Sequence, residues 1–290
     1  MEKLTPPLRQ GLNRRSLLRL GVAALGASFP GILNAATPQP ALPFGLRGKF
    51  QQSGYCIGRG APNAELWVDG FMRGRTSETG WFYVGFDRDS VPTCSLEIRT
   101  PTRTDLTRFA IAPTTYDLQH VDGLPPETVT PTDPANLERI KRDTALKNVA
   151  FASRDGSDYF KGGFIYPLKK FQVSGHFGNQ RVLNGVPKSP HYGFDMAAPV
   201  GTPVYAPQAG LVVLAEPDLF YEGGLTLIDH GQGVISMYLH QSELLVKKGD
   251  HVRQTQIIGR VGAKGRATGP HLCWRLKWGD RRMDPSLMVG

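Results

Sequence analysis

His191-Tyr192-Gly193-Phe194-Asp195 sets an imidazole and a carboxylate four residues apart. Both are ligands for first-row metals, and a nitrogen-plus-oxygen donor pair suits zinc. On a strand, residues i and i+4 project to one face. A second element, His271-Leu272-Cys273, follows the sharp turn Thr268-Gly269-Pro270 and offers two donors at i and i+2, again on one face of a strand. A third, Tyr238-Leu239-His240, closes a strand-like run. Brought together, these elements supply a histidine, an aspartate and a thiolate as ligands, with two imidazoles left over. A catalytic zinc takes three protein ligands and keeps one open position, and spare imidazoles there can move protons. Each spacing is a weak signal alone. The competing thiol chemistry is a Cys273 nucleophile with His271 as its base, but the two are only two residues apart and the metal pattern already uses both. The chain has no G-x-S-x-G elbow and no phosphate-binding loop.

The elements that must position these residues are short strands. From about Gly162 onward come Val204-Tyr205, Gly210 to Leu214, Leu225 to Ile228, Val234 to Leu239 and Ile257-Ile258, divided by glycine-rich turns such as His230-Gly231-Gln232-Gly233. A mostly antiparallel sheet is predicted over 161–290. His230 in its glycine-flanked turn reads as structural, His176 between Gly175 and Gly178 as a turn residue at most lining a cleft, and Lys264 and Arg266 as a solvated loop, with substrate contact as the lesser alternative. Residues 45–122 form a smaller N-terminal β-domain. There Asp69-Gly70 signals a hairpin turn, and Cys94, Leu96 and Ile98 alternate with Ser95, Glu97 and Arg99. Cys56 and Cys94 either pair or remain buried thiols. The stretch 123–160 is a proline-rich linker followed by one helix. Asp133-Pro134 supplies its cap, and Leu137, Ile140, Ala145, Val149 and Ala152 form its apolar stripe.

The 290 residues carry 34 glycines, 23 prolines, 3 cysteines and a formal charge of +9. Three cysteines are too few for a disulfide-stapled mini-protein. The basic excess falls on the leader 1–36 and on the half from 161 onward, while 37–160 is close to neutral. The leader reads as a signal peptide. Asn13-Arg14-Arg15-Ser16-Leu17-Leu18 resembles a twin-arginine signal, an apolar Gly/Ala-rich segment follows, and Asn34-Ala35-Ala36 supplies small residues for cleavage. Residues 37–44 are a proline-rich linker. An exported chain, placed in the periplasm or cell envelope, does not meet a genome, so the charge does not argue for nucleic acid. No stable membrane span is expected once the signal is removed.

The C-terminal segment resembles the lysostaphin/LytM-type zinc endopeptidases of bacterial cell walls. The matching stretches are Ser174-Gly175-His176-Phe177-Gly178 with Arg181, His191 through Pro199, Gly201-Thr202-Pro203-Val204, Asp229 through Gly233, Tyr238-Leu239-His240, Gly249-Asp250-His251-Val252, Ile258-Gly259, Thr268 through Leu272, and Asp284-Pro285. The resemblance spans roughly 165–288. It implies one zinc ion held by His191, Asp195 and the residue at position 273, with His240 and His271 catalytic and peptidoglycan cross-links as substrate. The family's third ligand is a histidine, and this chain has Cys273. Two anionic ligands cancel the charge of the metal, which weakens its Lewis acidity and raises the pKa of its water. The alternative reading is therefore a catalytically silent regulator that activates another murein hydrolase.

Overall fold

The computed structural model describes residues 43–290. The signal peptide and nearly all of the 37–44 linker lie outside the described residues. The expectation of a mostly β molecule with one long connecting helix is met.

The N-terminal body holds two antiparallel sheets. In the four-stranded one, Glu65–Val68 lies between Phe71–Arg75 and Thr93–Arg99, and Thr104–Ala110 forms the far edge. Asp69 and Gly70 take φ values of 54° and 81°, the left-handed pair that lets a two-residue hairpin follow the strand twist. Cys94, Leu96 and Ile98 turn inward as their alternation requires. Cys56 and Cys94 are both buried free thiols, so the unpaired alternative holds.

The helix Pro134–Phe151 begins where expected. The Asp133 carboxylate accepts from the backbone N–H groups of Ala135 and Asn136, satisfying donors that a helix start leaves open. Its expected apolar stripe does not face inward: Leu137 and Val149 are 47% and 68% exposed. The helix docks chiefly through polar side chains. Buried Asp143 accepts from the Phe220 N–H at 2.8 Å, and Lys147 pairs with Glu222. Ala150 and Phe151 supply the apolar contact.

The C-terminal region is built on an eight-stranded sheet. Its order is His251–Val252, Gly210–Leu219, Gly223–Asp229, Val234–Gln241, His271–Trp278, Phe194–Ala197 and Gln172–Gly175, with Arg281–Met283 also paired to His271–Trp278. The strands Gly223–Asp229 and Val234–Gln241 are buried along their whole length because both faces are covered. Val234, Tyr238, Trp274 and Leu276 join a core that runs without a break into Phe82, Tyr83 and Val84 of the N-terminal body. Ile235, Met237, Leu239 and Cys273 face the opposite way, toward Ala150 of the helix.

One ladder is unlike the others. Leu118–Val121, at the end of the N-terminal stretch, pairs in parallel with Gln180–Leu183. The linker then contributes Leu124 and Val129, which pack on Leu183.

Candidate metal centre and cleft

Strand register brings the site together. Asp195 is the direct cross-strand partner of Cys273, and Ala197 that of His271. On the other side of the same strand, Leu239 is the partner of Cys273. Asp195, Cys273 and Leu239 therefore share one row of one face. Strict alternation would send His240, one residue beyond Leu239, to the opposite face. Instead His240 takes a φ of 66°, next to a register shift in the ladder with Gly223–Asp229, and both residues line the same cavity. A non-glycine residue in this conformation carries backbone strain of about 1–3 kcal/mol, the kind that clusters at functional sites.

His191 Nε2 lies 3.2 Å from Asp195 Oδ1 and 3.5 Å from Cys273 Sγ. All three residues are buried, and their donor atoms lie within 4.8 Å of one another. Gly175 and Gly193 leave the space for this meeting. A Cβ at Gly193 would stand 2.6 Å from Cys273 Sγ and 3.1 Å from His191 Nε2, and one at Gly175 would stand 2.5 Å from Asp195 Oδ2.

Protons settle what the cluster can hold. His191 Nδ1 donates to the His176 carbonyl at 3.1 Å, so Nε2 presents a lone pair to the carboxylate. Asp195 Oδ1 is buried and receives no hydrogen bond. Two acceptors facing each other at 3.2 Å, in a buried place, call for a cation between them. Burial lowers the pKa of His191 and keeps it neutral. Burial alone would raise that of Asp195, but the positive charge around it, Arg181 included, outweighs burial and holds the carboxyl well below the usual range. A neutral imidazole and an ionised carboxylate are the forms that ligate metal. Burial pushes the Cys273 thiol up to about 12, partly countered by Arg275, so the metal must displace its proton. One nitrogen, one oxygen and one sulfur donor form a set that fits zinc.

Each anionic donor has its own guanidinium. Arg181 Nη2 donates to Asp195 Oδ2 at 2.8 Å, and Arg275 Nε donates to Cys273 Sγ at 3.3 Å.

The cluster opens on a cavity of about 190 Å³. His240 and His271 stand in its wall with ring centroids 4.6 Å apart. His240 Nδ1 donates to the Lys264 carbonyl at 2.8 Å and His271 Nδ1 to that of Gly269 at 2.9 Å. Both rings therefore keep Nε2 as a proton acceptor. Burial first, and the proximity of His271 second, push His240 down to about 3.

All five candidate residues thus meet in one place. His230 is structural, as expected: it is buried, with Nδ1 donating to the Ala209 carbonyl at 2.7 Å and Nε2 2.7 Å from Ser236 Oγ. His176 is exposed and contributes its carbonyl to His191. The solvated-loop reading of 264–266 is half right. Lys264 is exposed, but Arg266 is half-buried, stacks 4.8 Å over Tyr221 and lines the cavity. Arg275 was missed, although the period-two rule that joins His271 to Cys273 extends to it. Glu222 and Gln119, also in the cavity wall, have no local sequence signal because distant elements bring them there.

Residues 189–285 match the model of the family described as Peptidase family M23. Peptidoglycan DD-endopeptidase ShyA of Vibrio cholerae is 41% identical over 156 residues, covering 50% of this chain and 36% of the relative. DD-carboxypeptidase/endopeptidase Mpg of Neisseria meningitidis is 36% identical over 126 residues, covering 43% of this chain and 29% of the relative. The chain thus spans about a third of the length of the curated relatives it matches. A crystal structure assigned to the M23 peptidases, from Pseudomonas aeruginosa, superposes with a TM-score of 0.65 at 30% identity, covering 83% of this chain and 96% of that one. A likeness that takes in nearly the whole of that protein, together with the family match over the site-bearing strands, places this chain in peptidase family M23.

Proposed function

We propose that this protein is a zinc-dependent endopeptidase that hydrolyses peptide cross-links of peptidoglycan, exported to the periplasm or cell envelope. The observation that carries the reading is the pair of facing acceptors, His191 Nε2 and Asp195 Oδ1, 3.2 Å apart with no proton between them. The relatives' names supply the substrate class. A zinc ion held by His191 Nε2, Asp195 Oδ1 and Cys273 Sγ would supply Lewis-acid polarisation of the peptide carbonyl and of water.

The chain's own residues do the rest. His240 enters the reaction neutral and accepts a proton at Nε2 from the attacking water. His271 stands beside it with its own Nε2 free as a second acceptor, and the proton taken from the water is returned from the histidine pair to the leaving amine. The Lys264 and Gly269 carbonyls hold both rings in the required tautomer. Arg181 and Arg275 bear on the question raised by Cys273. A thiolate and a carboxylate cancel the metal's charge, but each is in contact with a guanidinium, which returns positive potential to the place where negative charge develops on the carbonyl oxygen. A silent regulator of other murein hydrolases is not favoured, because three converging donors and both proton-handling imidazoles are present.

The test is incubation of the mature chain with purified peptidoglycan, with and without chelator, followed by fragment analysis. Release of uncross-linked peptides that stops with chelator and returns with zinc is expected. Intact cross-links in the presence of stoichiometric zinc would overturn the reading.

A further inference from the structure

Three guanidiniums share the cleft with the metal centre: Arg181, Arg266 and Arg275. Two are committed to the anionic donors, as described. The acids of the cavity are paired as well, Asp195 with Arg181 and Glu222 through Oε1 with Lys147, while Glu222 Oε2 is buried without a hydrogen-bond partner and lends Arg266 part of its charge. Arg266 is different. Among the described residues no carboxylate pairs with it, and its polar contact is Nη1 to the Thr128 carbonyl at 3.4 Å, at the long end of a hydrogen bond. Its guanidinium is stacked over Tyr221, with 4.8 Å from Cζ to the ring centroid, which fixes the plane of the fork. Burial, and then the nearby charges of Arg275 and Arg181, lower its pKa. An arriving anion would relieve that repulsion. A flat, preoriented guanidinium without an ion-pair partner on a reaction cleft matches a carboxylate, which it can hold through two parallel hydrogen bonds.

We propose that Arg266 is a specificity residue that reads a free carboxylate on the amino acid adjoining the scissile peptide bond. The proposal rests on the endopeptidase reading and deepens it. Where the amine donor of a cross-link is a diamino diacid, a carboxylate sits on the carbon that bears the new amide nitrogen, and amidation of that carboxylate removes its charge with little change of shape. Arg266 therefore distinguishes two forms of one substrate.

The test uses a synthetic cross-linked peptide in two forms, with that carboxylate free or converted to the primary amide, and compares kcat/KM for the zinc-loaded full chain. The wild type is expected to cleave the acid about 10- to 100-fold better, the usual worth of a hydrogen bond to a charged group. Arg266→Gln should lose that advantage on the acid alone and bring the ratio close to one, with zinc content and thermal midpoint unchanged. Arg266→Lys should recover part of it. Equal cleavage of acid and amide by the wild type, or an equal loss on both in Arg266→Gln, overturns the proposal while leaving the endopeptidase reading intact. Failure of the wild type to cut either form, or purified peptidoglycan, overturns both. Should Arg266→Gln not fold, the wild-type ratio and Arg266→Lys decide the matter.

Discussion

Three buried thiols occupy two regions of this molecule, and burial alone does not tell them apart. Burial pushes Cys56 well above the ordinary thiol range, Cys94 up to about 12 and Cys273 up to about 12. Their neighbours separate them. Cys56 and Cys94 lie in the apolar core of the N-terminal body, and although Cys94 also has Asp69 and Arg281 nearby, neither has an imidazole among its neighbours. Cys273 has an imidazole lone pair at 3.5 Å, a carboxylate across the ladder and a guanidinium donating to its sulfur. A thiol among hydrocarbons is a small hydrophobe. The same thiol among donors and a cation becomes a ligand when a metal displaces its proton. Reactivity here belongs to the register of the strands and not to depth.

The sharpest way to break that contrast is to remove each sulfur in turn. Cys273→Ala should reduce bound zinc from one per chain to a small fraction and bring cleavage to background. Cys56→Ala should keep full zinc and full cleavage and cost about 1–3 kcal/mol of stability, as core truncations do. Zinc analysis and denaturant unfolding of both variants check this, and full zinc in Cys273→Ala would remove it from the ligand set. Next in size, His240→Ala should slow cleavage about 10²- to 10⁴-fold, the ordinary contribution of a positioned acid–base group, with zinc retained. Arg275→Met should weaken zinc affinity about 10- to 100-fold, as loss of a ligand's hydrogen-bond partner does. Competition with a chelator measures it, and unchanged affinity would reduce Arg275 to packing.

The smallest effect concerns acid. Burial lowers His230 to about 4 and His240 to about 3, from 6.5. Both therefore bind a proton more readily in the unfolded chain. They contribute stability that is complete above pH 6.5 and is lost as pH falls from there, to about 4 for His230 and about 3 for His240. Residues 43–119 contain no histidine, so the zinc-free protein should lose amide-exchange protection first in the C-terminal sheet over this window. Earlier loss in the N-terminal body would contradict the assignment.

The ligand residues were legible in the sequence because strand periodicity is short-range. Alternation alone puts His271 and Cys273 on one face. It predicts the inward turn of Cys94, Leu96 and Ile98 equally well. The resemblance to known cell-wall endopeptidases supplied the roles of His240 and His271. What the sequence hid was long-range. The helix has a readable cap, yet its inward face is set by Asp143 and Lys147 meeting Phe220 and Glu222, some 75 residues away, and an apolar stripe was the wrong guide to it. Arg266 looked like a solvated loop residue because nothing near it in sequence announces Tyr221 as a stacking surface or Arg275 as a neighbour.

The parallel pairing of Leu118–Val121 with Gln180–Leu183 bears on how separable the two regions are. Gln119 and Val121 of that strand, and Leu124 just after it, line the cleft, and the Gln119 side chain accepts from Arg181 Nε at 3.2 Å, the same arginine that holds Asp195. A C-terminal fragment begun at residue 123 or 161 would keep every proposed ligand and both proposed catalytic imidazoles. Either would lose Gln119 and Val121 from the wall of its own groove and release Arg181 from one of its two anchors, and the one begun at 161 would also lose Leu124 and uncover Leu183. The catalytic unit, as an object that could be moved to another protein, therefore begins before Leu118, inside what the sequence presents as a different domain.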